Sequence, residues 1–190
     1  TLASKTGNLH RSTSIGKETP AQRKHFQVAW ARPRGAKMAI VISNLPYNIS
    51  TKLIFKWLKM QDRFNELILM IQKEVAEKMD YNKTTKKNRL NTFIEISSKF
   101  NIEFNVSKNV FYPKPRIESS VIKIYPKKKI KISLEQLEKF TFQIFKNKRK
   151  KLKNVLKLKK KINDIDLNKR AEDLTTNQIL KIFKIYHIDK

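Results

Sequence analysis

The chain has 190 residues, enough for one domain with a substantial core, or for one domain and a small appendage. It has no cysteine, which excludes disulfides and thiolate metal sites. It also has no run of about 18 apolar residues that would span a membrane, and no N-terminal signal sequence is recognised. The formal net charge of +27 indicates a polyanionic partner, of which nucleic acid is the first to expect, although an AT-rich gene would explain part of the lysine excess.

Three histidines, His10, His25 and His187, are scattered without ligand spacing, so no metal is expected. Together with the absence of cysteine and of a membrane segment, this composition fits a protein of the reducing cytoplasm.

Residues 1–37 differ in composition from the rest of the chain. They hold all three glycines and four of the nine arginines, with Ser/Thr clusters and no sustained apolar period. This pattern predicts a disordered or loosely held tail. Its composition favours a tag, a fusion scar or a gene-boundary error over a functional arm.

The next stretch places a polar loop between a strand and a helix. Residues 39–43 form a β-branched run that predicts a buried strand, and residues 51–58 predict a helix with Ser50 or Thr51 as its N-cap. The loop between them carries Asn44-Leu45-Pro46-Tyr47. In an open α/β sheet such a loop lies at the carboxyl end of a strand, where ligands bind.

The four residues Asn44-Leu45-Pro46-Tyr47 suit the exocyclic amine of adenine. That amine is a poor nucleophile, because its lone pair is delocalised into the ring. An Asn side-chain oxygen and a backbone carbonyl can accept its hydrogen bonds, and an aromatic face can stack on the base. Pro46 restricts Leu45 to an extended conformation, which helps to aim the Leu45 carbonyl outward. The structural alternative is a simple turn, since Asn and Pro are common turn formers.

Further elements follow in chain order. The patterns predict a strand at 67–72, helices at 73–79 and 89–100, and an antiparallel pair of strands at 102–106 and 117–125. The two strands of this pair are joined through a loop at residues 111–115, whose prolines keep it extended.

Beyond a basic linker at residues 126–131 the chain reads as helical. Capping boxes begin at Ser133 and Thr175, and residues 147–160 are expected to continue a helix as a very basic one. Lys148, Arg149 and Lys150 belong to a group of six cations within eight residues. Like charges one turn apart repel, and a phosphate backbone would relieve that repulsion, so RNA contact is favoured over a merely solvated face.

Several of these blocks resemble, in order, the KsgA (RsmA) family of rRNA adenine N6,N6-dimethyltransferases. The blocks are residues 44–50 (NLPYNIS), 70–75 (MIQKEV), 111–121 (FYPKPRIESSV), 145–156 (FKNKRKKLKNVL) and 170–172 (RAE). The resemblance covers about residues 38–190 and leaves residues 1–37 unmatched.

The resemblance implies a fold and a set of site residues. The fold is α/β: an incomplete Rossmann-like class I methyltransferase sheet at 38–126, followed by a small α-helical RNA-binding domain at 130–190. Asn44 would accept from the target N6 and touch S-adenosylmethionine, Tyr47 would stack on the adenine, and Phe111 would form a second aromatic wall. Lys148-Arg149-Lys150 stands where the family has Arg-Arg-Lys, and Arg89 is carried over as a supporting residue. The implied partner is small-subunit rRNA, and the working form of a complete protein would be a monomer.

The family also has a cofactor-binding part that this sequence does not match. Family members hold S-adenosylmethionine with a glycine-rich turn and an acidic residue, whereas Gly7, Gly16 and Gly35 are too far apart for such a turn. The chain is therefore expected to lack the cofactor-binding half and to be inactive alone. Without its first strands, the strand at 39–43 would be an exposed apolar edge, and poor solubility or self-association is expected despite the high charge.

Two rival functions remain open. One is the sister family that methylates large-subunit rRNA and confers macrolide resistance, which has a similar loop. The other is a non-catalytic rRNA-binding or assembly factor.

Overall fold

The computed structural model describes residues 9–11, 27–31, 38–128, 130–156, 162 and 164–188. The strands are β1 (Leu9–Arg11), β2 (Gln27–Ala31), β3 (Ala39–Asn44), β4 (Phe64–Gln72), β5 (Ser98–Val106) and β6 (Ser119–Pro126). The helices are α1 (Ser50–Lys59), α2 (Lys73–Met79), α3 (Arg89–Ser97), α4 (Leu134–Lys146), α5 (Leu152–Val155) and α6 (Thr176–Ile188). The predicted α/β class is confirmed.

The strands form one mixed sheet in the order β1-β2-β3-β4-β6-β5. Strands β3 and β4 are parallel, and β6 runs antiparallel to both of its neighbours, β4 and β5. The predicted antiparallel pair is confirmed as β5 and β6, although β5 begins directly after α3, at Ser98 rather than at residue 102.

The centre of the sheet is apolar because facing residues of β4 and β6 share one buried surface. Leu69 lies opposite Ile122, and Leu67 lies opposite Ile124. All four side chains are fully buried. Such cross-strand pairs fix the register, since a slip of one residue would turn this apolar set toward the other face.

Strand β3 is not an exposed edge. Strand β2 pairs with it antiparallel, from Gln27 opposite Asn44 to Ala31 opposite Ile40, and β1 pairs in turn with β2. Residues 9–11 and 27–31 of the expected disordered or loosely held tail thus pair as strands, and the expectation of an open apolar edge at β3 is wrong. Unpaired N–H and C=O groups of an edge strand are satisfied by another strand, and here the preceding segment supplies it.

Helix α1 begins differently from the prediction. Ile49 occupies the N-cap position without a side-chain cap. Ser50 is the first helical residue, and its hydroxyl donates to the Tyr47 carbonyl at 3.2 Å. The serine therefore closes the preceding turn instead of capping the helix. Five apolar side chains of α1 are buried at helical spacing: Leu53, Ile54, Phe55, Trp57 and Leu58.

The basic stretch after α4 does not continue as one helix. Helix α4 ends at Lys146, the chain turns at residues 147–149, and α5 is a separate short helix. The Leu152 N–H donates to the Lys169 carbonyl at 3.1 Å instead of to a helical partner. Repulsion between neighbouring cations disfavours a continuous helix here.

By contacts the chain divides into two compact units. The first comprises residues 1–77 and 98–129, and the second comprises residues 78–97 and 130–190. Helix α3 therefore groups with the C-terminal helices, while the functional division between 38–126 and 130–190 stays a prediction. The second unit has an aromatic core in which Phe140 meets Phe183 edge-on at 5.4 Å between ring centroids.

The capping box at Thr175 forms with both of its bonds, and the one at Ser133 forms with its N-cap bond. Ser133 accepts from the Gln136 N–H at 3.3 Å. Thr175 accepts from the Gln178 N–H at 3.3 Å, and the Gln178 side chain accepts from the Thr175 N–H at 2.9 Å. The predicted N-termini of α4 and α6 are thereby confirmed to within one residue.

Candidate functional site

The loop from Asn44 to Tyr47 is held by the sheet at one end and by a turn at the other. Asn44 is the last residue of β3, and the Leu45 N–H donates to the Met70 carbonyl of β4 at 3.0 Å. The Leu45 side chain is 1% exposed, which anchors the loop in the core. The Pro46 carbonyl accepts from the N–H groups of Ile49 and Ser50 at 3.2 and 3.0 Å. The backbone of this loop is therefore fixed before any ligand arrives.

Tyr47 is held by one hydrogen bond to its backbone and one to its phenol oxygen. Its backbone carbonyl accepts from the Ser50 hydroxyl, and its phenol oxygen lies 2.8 Å from the Ser119 hydroxyl. Ser119 is fully buried at the start of β6, whereas Tyr47 is half-buried. The ring thus keeps an accessible part while its polar ends are tied to the protein, which suits an aromatic platform.

Phe111 lies in the loop that leads into β6. A single 3₁₀ turn, Lys108–Val110, precedes it, and Ser107 caps this turn by accepting from the Asn109 N–H at 3.3 Å. Phe111 itself is extended and half-buried, so it is not an ordinary core aromatic. The arrangement of Tyr47 and Phe111 as two facing walls stays a prediction. The bond from Tyr47 to Ser119 ties Tyr47 to the strand that follows the Phe111 loop.

An ion pair beside this strand was missed by sequence reasoning. Lys73 Nζ lies 2.8 Å from Glu118 Oε2, and the Lys73 N–H donates to the Glu118 carbonyl at 3.1 Å. The hydrogen bond and charge of each partner raise the pKa of Lys73 and lower the pKa of Glu118. The pairing of Gln72 with Ser119 brings these residues together, and that register cannot be read from either segment alone.

The ion pair borders an open cavity of about 260 Å³ at the carboxyl end of β4. The cavity is lined by Gln72, Lys73, Glu74, Glu77, Ile117 and Glu118. It lies where β4 ends and the chain enters β6, and its lining includes no residue of β3.

Lys148, Arg149 and Lys150 are all exposed in the turn after α4. The Lys150 N–H donates to the Asn147 carbonyl at 3.0 Å, which closes that turn. Three adjacent exposed cations on a turn form a compact positive surface, and the remaining lysines of this stretch at residues 157–161 lie outside the described residues.

Two other family-like positions have structural partners within the second unit. Arg89 donates to Glu138 at 3.1 Å, and its guanidinium lies 5.1 Å from the Phe142 ring centroid. Glu172 accepts from the Lys86 ammonium at 3.3 Å, and its carbonyl accepts from the Lys87 N–H at 2.9 Å. These positions therefore hold the second unit together.

Metal and membrane features are absent from the part of the chain that the structure describes. Within it, no three or more His, Asp or Glu side chains are grouped so that they could hold a metal ion. No helix within the same residues combines the length and apolar character needed to cross a membrane.

Comparison with known proteins identifies a family and several relatives of this chain. A family model described as "Ribosomal RNA adenine dimethylase" matches residues 18–187, so residues 18–37 are matched and the expectation that all of 1–37 is unmatched is wrong. The chain is 41% identical to ribosomal RNA small subunit methyltransferase A of Malacoplasma penetrans over 141 residues, 72% of this chain and 51% of the relative. It is 34% identical to the protein of that name from Mycoplasma capricolum over 164 residues, 78% of this chain and 61% of the relative.

Two solved structures share the fold. A dimethyladenosine transferase from Plasmodium falciparum matches with a TM-score of 0.65 and 24% identity, over 79% of this chain and 67% of the other. The 23S rRNA methyltransferase ErmE matches with a TM-score of 0.51 and 17% identity, over 77% of this chain and 64% of the other. These likenesses confirm the predicted Rossmann-like fold of the sheet.

The chain spans about half the length of the curated relatives it matches. The family match nevertheless covers residues 18–187, which include the loop at Asn44, the Phe111 segment and the capped C-terminal helices. The chain belongs to the ribosomal RNA adenine dimethylase family.

Proposed function

We propose that the site binds an adenine of small-subunit rRNA and presents its N6 amine for dimethylation, with S-adenosylmethionine as the methyl donor. The observation that carries this proposal is the hydrogen-bonded loop at the end of β3, which holds Asn44 at the end of the strand and ties Tyr47 through its carbonyl and its phenol oxygen. The names of the relatives favour the small-subunit substrate over the large-subunit one.

In this proposal each residue of the loop acts on the base without forming a covalent bond. The Asn44 side-chain oxygen and the Leu45 carbonyl accept hydrogen bonds from N6. Accepting both hydrogens draws the amine out of the plane of the ring and localises its lone pair. Tyr47 stacks on the base and Phe111 closes its other face, which positions an extruded adenine.

The chain's own contact with the cofactor would be Asn44, whose side-chain amide offers both a donor and an acceptor at the carboxyl edge of the sheet. S-adenosylmethionine, when bound, supplies the methyl group. Asn44 therefore fits the cofactor. Residues 36–190 contain no glycine, so the described residues from 38 onward supply no glycine turn at which the backbone could approach the cofactor closely.

The phosphate backbone would be bound by the exposed surface of Lys148, Arg149 and Lys150. RNA is recognised mostly by shape and by unstacked bases, so cations supply affinity while the loop at Asn44 supplies the choice of base. The proposed setting is the cytoplasm, and the proposed working form is a monomer.

The test exploits the hydrogens that the proposed site needs. Uridine nonamers with one central adenosine, N6-methyladenosine or N6,N6-dimethyladenosine are titrated by fluorescence anisotropy at low salt. These bases offer two, one and no N6 hydrogens, and each hydrogen bond is worth about 0.5–1.5 kcal/mol, so affinity should fall by about three- to ten-fold per methyl group.

Asn44→Ala should remove about half of this discrimination in free energy, because the Leu45 carbonyl remains to accept one hydrogen bond from N6. The matched control is Asn48→Ala, which removes an exposed asparagine from the same turn and should leave the discrimination intact. Equal affinities of the unaltered chain for all three RNAs would overturn the proposal.

A further inference from the structure

We propose that Ser119 is the positioning residue that holds Tyr47 in the orientation needed to stack on the target base. This inference rests on the proposed function and deepens it, since neither the family match nor the relatives assign a role to this serine. It acts through Tyr47 and is not itself placed against the substrate.

The geometry supporting this role is a hydrogen bond between residues 72 positions apart in sequence. The two oxygens are 2.8 Å apart, and Ser119 is fully buried. A buried hydroxyl has few alternative partners, so the tyrosine that meets it is held in one place.

The serine is itself placed by the sheet rather than by a flexible segment. It opposes Gln72 of β4 on one side and Val106 of β5 on the other, as the first residue of β6. The residue before it, Glu118, is tied to Lys73 by both a backbone hydrogen bond and an ion pair. Ser119 therefore offers a fixed point on the strand that the Phe111 loop enters.

When the backbone and the phenol oxygen of a tyrosine are both fixed, the face of its ring remains available for stacking. The turn fixes the Tyr47 backbone through Ser50, and Ser119 fixes the phenol oxygen. A ring that is already ordered loses less side-chain entropy when a base stacks on it. Preorganisation of the Tyr47 ring therefore raises the affinity for the base.

The adjacent serine provides a matched control. Ser120 is also fully buried, and its hydroxyl donates to Asn105 at 2.7 Å. Successive side chains of a strand point to opposite faces, so Ser120 makes its bond away from Tyr47. Ser119→Ala and Ser120→Ala thus remove the same group, at the same burial, from neighbouring positions.

The experiment measures the ratio of two dissociation constants for each variant. The probes are a uridine nonamer with a central adenosine and the same nonamer with an abasic site there, titrated by anisotropy at low salt. Phosphate contacts are common to both RNAs, so the ratio isolates the contribution of the base. Base stacking is worth about 1–3 kcal/mol, and the unaltered chain should prefer adenosine by about five-fold or more.

Ser119→Ala should reduce this preference about three- to five-fold, and Ser120→Ala should leave it unchanged. Tyr47→Phe removes the other partner of the same bond and should match Ser119→Ala, with no further loss in the double variant. If Ser119→Ala fails to fold, Tyr47→Phe alone decides: a preference equal to that of the unaltered chain would overturn the role of Ser119.

Tyr47→Ala separates this inference from the function on which it rests. If it leaves the adenosine preference unchanged, the proposed adenine site itself is wrong. If it abolishes the preference while Ser119→Ala behaves like Ser120→Ala, the adenine site stands and the positioning role is wrong.

Discussion

Replacing Lys148, Arg149 and Lys150 by alanine tests whether the turn after α4 binds phosphates. All three side chains are exposed, so their removal leaves the core intact, and the formal net charge falls by three from +27. For a single-stranded RNA, each neutralised phosphate contributes about −0.7 to the slope of log affinity against log salt, so three contacts contribute about −2. Between about 50 and 200 mM salt, the affinity of the unaltered chain should therefore fall about twenty-fold more than that of the variant.

The assay is fluorescence anisotropy with a labelled uridine 30-mer over this salt range. The charge-matched control replaces three exposed lysines from separate elements, Lys52, Lys99 and Lys139. The control should change the slope less, because isolated cations do not form a compact surface. A flat salt response of the unaltered chain, or equal slopes for both variants, would refute the reasoning.

Three further predictions concern the capped helix, the ion pair and the cofactor. Thr175→Ala should lower the free energy of unfolding by about 1 kcal/mol in urea titrations, because it leaves the Gln178 N–H without its cap; no loss would contradict the capping box. Glu118→Gln should lower the Lys73 pKa, followed by NMR, toward its ordinary value, and an unchanged Lys73 pKa would show that Glu118 does not raise it. The Glu118 pKa is lowered and the Lys73 pKa is raised in the folded chain. The contribution of the ion pair to folding stability is therefore present between the ordinary values of 4.5 and 10.5. It is lost as pH falls through the folded-state pKa of Glu118 or rises through the folded-state pKa of Lys73. Isothermal titration of the 190-residue chain with S-adenosylmethionine should show no micromolar binding, for want of a glycine turn, and micromolar binding with methyl transfer would contradict this.

Local patterns predicted those parts of the fold whose signals are local. Helix α2 has the predicted bounds of 73–79, and both capping boxes were recognised from four residues each. The loop at Asn44 was placed correctly between a strand and a helix, because a β-branched run and a helical period flank it.

Long-range pairing explains what was missed. The bond from Tyr47 to Ser119 and the ion pair of Lys73 with Glu118 depend on the register of β4 and β6, which no single segment encodes. The sequence of strand β2 carries only a weak strand signal, in which Val28 and Trp30 occupy alternate positions of a five-residue run. The polar composition of the surrounding segment outweighed this signal.

The basic stretch after α4 shows a second kind of limit. Its leucines have helical spacing, yet repulsion between cations and a backbone bond from Leu152 to Lys169 separate it into a turn and a short helix. A hydrophobic period does not report the electrostatic cost of continuing a helix.

The most direct test of the account is an NMR measurement of the uridine nonamer with one central adenosine, bound to the chain at low salt. The account predicts intermolecular nuclear Overhauser contacts between the H2 or H8 protons of the adenine and the ring protons of Tyr47. Contacts from the bound adenine to other aromatic rings, with none to Tyr47, would contradict the central claim that this loop receives the base.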